Sequence, residues 1–299
     1  MSQIKSILFS FIFCLSIVTT AQKYVDLARF HYINTPQNNF DSIGGSTNIE
    51  EFGVDITLPI KLNDNNAFLT GFYLEKIKLK LDSGLDYRGI STINLKIGFN
   101  KNHSEKWNGT YMLLPKISSD FKNLSGKDFQ IGGLILMKYK KSENFKYHIG
   151  VYANNDLFGV LVSPLLGFYY KSPNNKFEAN FTLPIWADVN YGLTNWLNAG
   201  INFLAITRTY NLGNENVYLT KASNELYGYL QFKIKKSILL QTKIGYSLGR
   251  SYEAYNNGDK IDVNIWGIEL GGNRTILNST FNDGAIFKIR LIYRFHIEK

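Results

Sequence analysis

Histidines are the side chains in this chain of 299 residues that are most able to do acid–base or metal chemistry: His31, His103, His148 and His296. A hydrolase site needs a histidine base beside a serine, with a carboxylate that orients the imidazole. His103, Ser104 and Glu105 are consecutive in a polar segment, where neighbouring side chains point in different directions. The other three histidines have no suitably placed serine and no second histidine at metal-binding spacing. We therefore expect no enzymatic activity, no metal site and no cofactor.

Basic residues are the second group with chemical potential. Lys and Arg (33) outnumber Asp and Glu (24), which gives a formal net charge of +9. Positive charge together with many aromatic residues is compatible with nucleic-acid binding. Here the lysines are dispersed over many segments instead of forming one patch, and the chain begins with a secretory signal. We therefore expect a protein of the cell envelope with no nucleic-acid partner.

The first 21 residues have the pattern of a secretory signal peptide. Lys5 precedes an apolar run from Ile7 to Val18, and the short segment Thr19–Ala21 follows. A basic region, an apolar region and a small-residue exit are the parts of such a signal, and the apolar run is too short for a membrane-spanning helix. We expect residues 1–21 to be removed and residues 22–299 to form one domain. Cys14, the only cysteine, would be lost with the signal.

After Gln22, apolar and polar residues alternate with the period of two that is typical of β-strands. The alternation is clearest in these segments: Glu51–Leu62, Asn94–Asn100, Phe129–Lys140, Ile238–Leu248 and Ala285–His296. Longer polar segments, which we interpret as loops, are Thr35–Thr47, Ser118–Asp128, Asn211–Ala222, Tyr252–Lys260 and Asn278–Gly284. About fourteen strand-like segments result, and Phe177–Leu193 is compatible with one long strand or two short ones.

Both a soluble β-sandwich and a transmembrane β-barrel alternate in this way. Three features favour the barrel. The runs of about 10–15 residues exceed the five or six residues of an average globular strand, and one face of nearly every run is wholly apolar. Aromatic residues lie near the ends of runs, among them Trp107, Tyr139, Trp186, Trp196 and Tyr293, as in the aromatic girdles of membrane barrels. We predict an all-β fold, a transmembrane antiparallel β-barrel of about 14 strands with 12 as the alternative, and both termini in the periplasm.

If the apolar faces meet lipid, the polar faces line the lumen of the barrel. The lumen-lining candidates are Glu51, Asp55, Lys61, Lys96, Lys138, His148, Glu178, Lys233, Lys243, Lys288, Arg290 and Arg294. The alternation also assigns Lys76, Lys78 and Lys80 to the lumen, unless they rise above the membrane and meet anionic lipid headgroups. Cations outnumber carboxylates in this set, and rings of Lys and Arg in a pore favour anions.

The last strand carries a resemblance to a known class of proteins. Ala285–Phe295 alternates and closes on an aromatic residue, and His296–Lys299 follow it. In this it is similar to the C-terminal assembly signal of Gram-negative outer-membrane β-barrels. The ending Thr20-Ala21-Gln22 and the composition rich in Asn, Lys and Tyr resemble Bacteroidota-type members, including a family of uncharacterised barrels. The resemblance implies an outer-membrane location, contact with membrane lipid and lipopolysaccharide, and insertion by the barrel assembly machinery.

These observations lead to two hypotheses about function. The first is a passive or gated pore with a mild anion preference for small solutes, because a barrel near 14 strands is wider than the eight-stranded barrel that side chains fill. The alternative is a closed structural or surface-binding barrel without transport activity, in which Lys–carboxylate pairs fill the lumen or the loops meet a partner.

Overall fold

The computed structural model describes residues 24–41, 44–213, 215–272 and 274–296. The predicted signal peptide lies outside these residues. Within them, no helix is both long enough and apolar enough to cross a membrane.

The described part of the chain forms sixteen strands and one short 3-10 turn, Gly126–Asp128. The strands are β1 Tyr24–Asn39, β2 Ser46–Lys61, β3 Asn66–Leu79, β4 Arg88–Asn102, β5 Trp107–Ser119, β6 Phe129–Ser142, β7 Phe145–Asp156, β8 Gly159–Lys171, β9 Phe177–Leu183, β10 Trp186–Gly192, β11 Leu197–Leu212, β12 Val217–Lys235, β13 Ile238–Asn256, β14 Val263–Ile265, β15 Ile268–Leu270 and β16 Ala285–His296.

Fourteen of these strands close into one antiparallel barrel. Each strand from β1 to β12 pairs with the next one along the chain, and β16 pairs with β13 on one side and with β1 on the other. The prediction of a barrel with 14 strands is therefore confirmed, and the alternative of 12 strands is wrong. Closure matters because it pairs backbone groups that an open sheet would leave exposed at its edges.

The two ends of the barrel differ in their connections. Tyr24 and His296 lie at the end with short turns, which we call the turn end; only residues 143–144 join β6 to β7 there, and residues 236–237 join β12 to β13. At the opposite end, the loop end, residues 257–284 join β13 to β16 and contain the hairpin β14–β15.

Strands extend into three of the segments that the sequence interpretation gave as loops. Strands continue into Thr35–Thr47, Asn211–Ala222 and Tyr252–Lys260, and they leave residues 40–45, 213–216 and the segment from 257 onward as connections. The physical reason is that polar side chains there are buried and bonded inside the barrel. Asn38, for example, is 1 % exposed and donates to two backbone carbonyl oxygens at 2.7 and 2.8 Å.

The outer face of the barrel is apolar and the inner face is polar. On β16, Phe287, Ile289 and Leu291 are 44–54 % exposed, whereas Lys288 between them is 4 % exposed. Aromatic pairs lie near the turn end, with ring centroids of Trp107 and Tyr139 5.0 Å apart. This arrangement is the reverse of a soluble protein, in which Lys is almost never fully buried.

The assignment of Lys76, Lys78 and Lys80 to the lumen is wrong. Ile77 and Leu79 alternate with them and are 0 % exposed, because they belong to an apolar cluster inside the barrel. Lys76 and Lys78 therefore point outward, and Lys80 follows the end of β3.

The segment Phe177–Leu193 forms two short strands, β9 and β10, of seven residues each. The wall between β8 and β11 is therefore low on the loop side. The hairpin β14–β15 lies beside β8 instead of β9 there, with Val263–Ile265 parallel to Val160–Val162. The indole of Trp266 holds it in place by donating to the carbonyl oxygen of Pro164 at 2.9 Å.

The loop-end half of β11 leaves the wall and turns into the barrel. Asn211 pairs with Ser119 of β5, and the Thr209 hydroxyl lies 3.1 Å from Asp156 Oδ1 on β7. Gln130 on β6 donates to the Thr209 carbonyl oxygen at 3.1 Å. The outward face of β11 is thus buried against the inner faces of three other strands.

The 3-10 turn fastens the inward half of β11 at the loop end. Asn211 donates to Asp128 Oδ1 at 3.0 Å, and the Ser125 backbone N–H donates to the same carboxylate. Burial alone would raise the pKa of Asp128, but hydrogen bonds from Ser119, Ser125 and Asn211 lower it below its ordinary value. The carboxylate is therefore charged and well bonded at neutral pH.

An apolar cluster fills the lumen at the loop end. Its members come from inner strand faces and loops: Phe40, Ile49, Ile77, Leu79, Leu81, Ile90, Tyr210, Leu212, Leu219, Tyr252, Ala254 and Phe281. All are 6 % exposed or less. Together with the inward half of β11, this cluster occupies the barrel interior on the loop side.

Candidate solute cavity

A cavity of about 980 Å³ occupies the lumen between the apolar cluster and the turn end. It reaches the turns, where Asn175 and Asn195 line it. Eight Lys or Arg side chains and six Asp or Glu side chains form much of its wall, because inward positions of the strands carry the polar residues of the alternation.

Four charged side chains lie between the cavity and the apolar cluster; Glu51, Glu75 and Lys221 are buried, and Arg208 is partly exposed. Lys221 Nζ lies 2.6 Å from Glu51 Oε2 and 3.8 Å from Glu75 Oε2. Arg208 Nη1 lies 2.6 Å from Glu75 Oε1, and the Tyr210 hydroxyl donates to the same oxygen at 2.7 Å. Two cations and two carboxylates neutralise one another, which is the condition for burying charge at acceptable cost.

Three further ion pairs lie lower in the cavity: Asp55 with Lys96 at 2.5 Å, Asp26 with Arg294 at 2.6 Å, and Glu178 with Lys171 at 3.9 Å. Near the turn end, the Tyr24 hydroxyl on β1 donates to Glu178 Oε1 on β9 at 2.8 Å. This bond crosses the lumen between strands that are not neighbours, so it narrows the mouth of the cavity.

The unpaired charges in the cavity are mostly positive. Within the described residues, four lining cations have no carboxylate oxygen within 4.0 Å: Arg29, Lys233, Lys288 and Arg290. Of the lining carboxylates, Asp188 alone lacks a Lys or Arg partner in that part of the chain, and the Tyr229 hydroxyl donates to it at 3.0 Å. Paired charges largely cancel at a distance, so the lining carries an excess of unpaired positive charge.

Eight of the twelve lumen candidates line this cavity: Glu51, Asp55, Lys96, Glu178, Lys233, Lys288, Arg290 and Arg294. Lys243 also faces inward, and its Nζ donates to lining Asn202 Oδ1 at 2.8 Å. Lys138 and His148 are opposite one another on the inner faces of β6 and β7 but lie outside the cavity. Lys61 is the last residue of β2, at the turn end and outside the cavity, and its Nζ pairs with Asp64 at 2.7 Å.

The sequence interpretation missed several charged groups of the site. Arg29 could have been predicted from the sequence, since Arg29 and His31 alternate with the outward Phe30. Lys221 lay in a segment interpreted as a loop, and Arg208 stood just before that segment. Their roles depend on the inward turn of β11, which alternation alone does not reveal.

Trp186, expected in an aromatic girdle, lines the cavity instead. On β10 it alternates in phase with Asp188 and Asn190, which also line the cavity, so the indole lies on the inner face.

The four histidines contact different groups. His31 Nε2 is 3.4 Å from Glu51 Oε1, and His148 Nδ1 is 3.2 Å from the Phe181 carbonyl oxygen. His103 Nε2 is 2.8 Å from the Tyr111 hydroxyl, and His296 Nε2 is 2.9 Å from a backbone carbonyl oxygen. Over the described ranges, no group of three or more His, Cys, Asp or Glu side chains could hold a metal ion.

Comparison with known proteins identifies the family. Residues 16–260 match the family model described as a domain of unknown function, DUF6268. The chain belongs to the DUF6268 family. A comparison with curated proteins found no match for this DUF6268 chain.

Several solved barrels are similar to the DUF6268 barrel in fold. They include the COG4313 outer membrane channel from Pseudomonas putida F1 (8 % identity, 91 % of this chain and 95 % of that one, TM-score 0.46). Two others are the P. putida toluene transporter TodX (10 %, 91 % and 91 %, 0.37) and Pseudomonas putida OprB (8 %, 91 % and 94 %, 0.37). At these identities and TM-scores the similarity carries no argument about function, which has to be inferred from the cavity itself.

Proposed function

We propose that this DUF6268 barrel is an outer-membrane pore for small solutes with a mild anion preference, and that it transports without catalysis or a cofactor. The observation that carries the proposal is the excess of unpaired cations over the single unpaired Asp188 in the described part of the lumen. Cations in a confined channel with low-dielectric walls attract anions and raise their local concentration. The preference is mild because half of the lining cations are neutralised in ion pairs.

The apolar exterior supports an outer-membrane location. Exposed side chains such as Leu95, Ile97, Ile244 and Ile289 form an apolar surface. Contact of this surface with water is unfavourable, whereas contact with lipid tails is not. Short turns face the periplasm in barrels of this class, so the turn end and both termini belong on that side. Lys76 and Lys78 would then meet anionic groups of lipid or lipopolysaccharide on the other side.

Processing and assembly complete the proposal. We infer from the pattern of the first 21 residues that they are removed as a signal peptide. From the alternation of the last strand we infer insertion by the barrel assembly machinery. The Bacteroidota-type origin stays a prediction from composition.

Conduction requires an opening at the loop end, where the interior is filled. The contacts that hold β11 inward include polar ones, such as Thr209 with Asp156 and Asn211 with Asp128. Each such bond contributes only about 0.5–1.5 kcal/mol net, or somewhat more with a charged partner. The pore would therefore be gated, with the inward half of β11 as the moving element.

The filled loop end also supports a second candidate, a closed barrel without transport. Single-channel recording in planar bilayers separates the two. If the barrel is a pore, we expect discrete openings. In a KCl gradient, the reversal potential should shift towards the equilibrium potential of chloride. Potassium selectivity would remove the anion preference, and the absence of openings at every voltage would remove the pore and leave the closed barrel.

A further inference from the structure

Two buried lysines lie side by side at the cavity, Lys288 in its wall and Lys243 next to it, and no carboxylate oxygen lies within 4.0 Å of either Nζ in the described chain. Lys243 on β13 and Lys288 on β16 are directly opposite in the strand register, and they are 3 % and 4 % exposed. The Lys243 Nζ donates to Asn202 Oδ1 at 2.8 Å, and the Lys288 Nζ lies 5.8 Å from the centroid of the Tyr227 ring. Like charges facing each other destabilise a sheet, and buried cations need counter-charge. A bound anion would therefore stabilise this pair of lysines.

Two guanidinium groups lie next to these lysines, towards the turn end. Arg290 follows Lys288 on the inner face of β16, and Arg29 lies on the inner face of neighbouring β1. The Nε of Arg290 is buried and has no hydrogen-bond partner among the described residues. A guanidinium with free donors fits the two oxygens of a carboxylate or phosphate. We call Arg29, Lys243, Lys288 and Arg290 the cationic wall.

An amide-rich wall adjoins the cationic wall. Its amides come from β9, β10 and β11: Asn180, Asn190, Asn198 and Asn202. Asn180 Oδ1 is buried and unpartnered within the described residues, and Trp186 lies in the same wall. Amides both donate and accept hydrogen bonds, as hydroxyl groups of a solute require, and the indole offers an apolar platform. The two walls meet where Lys243 contacts Asn202.

We propose that the cavity binds a small solute that carries an oxyanion group together with several hydroxyl groups, as in a sugar acid or a sugar phosphate. The oxyanion lies on the cationic wall, and the hydroxyl groups exchange hydrogen bonds with the amides. A cavity of about 980 Å³ has room for such a molecule, since ligand pockets span about 300–1,000 Å³. The assignment rests on the proposed function, because the ligand is the solute that the pore admits.

Isothermal titration of the detergent-solubilised mature protein tests the site. The probes are gluconate, glucose 6-phosphate and, as a neutral polyol of matched size, glucose. We expect at least one anionic probe to bind and glucose to bind at least about tenfold more weakly, the loss of one charged contact. Gluconate binding more tightly identifies a carboxylate ligand, and glucose 6-phosphate binding more tightly identifies a phosphate. Equal binding of glucose, or no binding of either anion, would overturn the proposal.

Variants locate the site within the protein. Lys288→Gln should weaken binding of the anionic probe about tenfold or more, whereas Lys61→Gln, at the turn end of β2 and outside the cavity, should leave it unchanged. If Lys288→Gln does not fold, Arg290→Gln provides the same test. Equal weakening by the cavity and turn variants would overturn the assignment.

The titration is independent of conduction. Binding without channel openings would support the site and overturn only the pore, and openings without binding would overturn only the site.

Discussion

Replacing Lys221 by Met removes the centre of the charged layer between the cavity and the apolar cluster. Lys221 is 1 % exposed, and its Nζ contacts Glu51 at 2.6 Å and Glu75 at 3.8 Å. Met has a similar length and no charge, so the change leaves the packing and removes the counter-charge. Glu75 keeps Arg208 at 2.6 Å, whereas Glu51 keeps only His31, at 3.4 Å, in the described chain.

The expected cost follows from that geometry. Removing one partner of a buried ion pair costs about 3–5 kcal/mol, because the other charge stays buried without compensation. The upper part of this range applies if Glu51 stays ionised, and protonation of Glu51 would lower the cost. Lys61→Met is the matched control: its pair with Asp64 is solvent-exposed on the Asp64 side, so the loss should be below about 1 kcal/mol.

Urea unfolding of the barrel in phospholipid vesicles, followed by tryptophan fluorescence, measures both variants. We expect Lys221→Met to lower the free energy of unfolding by several kcal/mol, and the further change Glu51→Gln to restore part of the loss. A Lys221→Met protein within about 1 kcal/mol of the parent, the range of an exposed pair, would refute the view that this layer is a coupled, desolvated network.

Three further predictions concern the inward half of β11, the close contact of Gly71 with β2, and Asp128 of the 3-10 turn. Thr209→Val keeps the shape of the side chain but loses the hydroxyl contact to Asp156 at 3.1 Å. The open probability in single-channel records should rise about tenfold, the equivalent of about 1.4 kcal/mol. An unchanged open probability would contradict the role of β11 as the gate. A Cβ on Gly71 would lie 2.1 Å from the Ile56 carbonyl oxygen at φ +148°, so Gly71→Ala should reduce the heat-resistant folded band on gels, unlike Gly228→Ala, where no atom lies within 4 Å. Since the pKa of Asp128 is lowered in the fold, the stabilisation that its carboxylate gives is present at neutral pH and lost as the pH falls through that pKa. Asp128→Asn should therefore lower the free energy of unfolding at neutral pH and have no effect in strong acid. A loss of stability that does not depend on pH would contradict this.

Alternation predicted the barrel because lipid and lumen impose a strict period of two on long strands. On β16 that period assigns Lys288 and Arg290 inward correctly. It fails on β3, where the inner face carries Ile77 and Leu79 and the outer face carries lysines. The reason is that the lumen near the loop end is not polar but filled by an apolar cluster, so polarity no longer distinguishes inside from outside there.

The site was predictable only where it follows one strand. The cationic face of β16 is local to the sequence, whereas the layer around Lys221 joins β2, β3, β11 and β12. Arg208 belongs to the half of β11 that extends beyond the short strand β10 and turns into the barrel. Contacts between residues as distant as Glu51 and Lys221 have no signature in local spacing.

Ion selectivity tests the central claim most directly, namely that unpaired cations on β1 and β16 make the lumen positive. The measurement is the reversal potential in a KCl gradient for the parent, the double variant Lys288→Gln and Arg290→Gln, and the turn variant Lys61→Gln. We predict a chloride-selective parent, loss of that preference in the double variant, and no change in the turn variant. A cation-selective parent, or a double variant that keeps the parent's reversal potential, would contradict it.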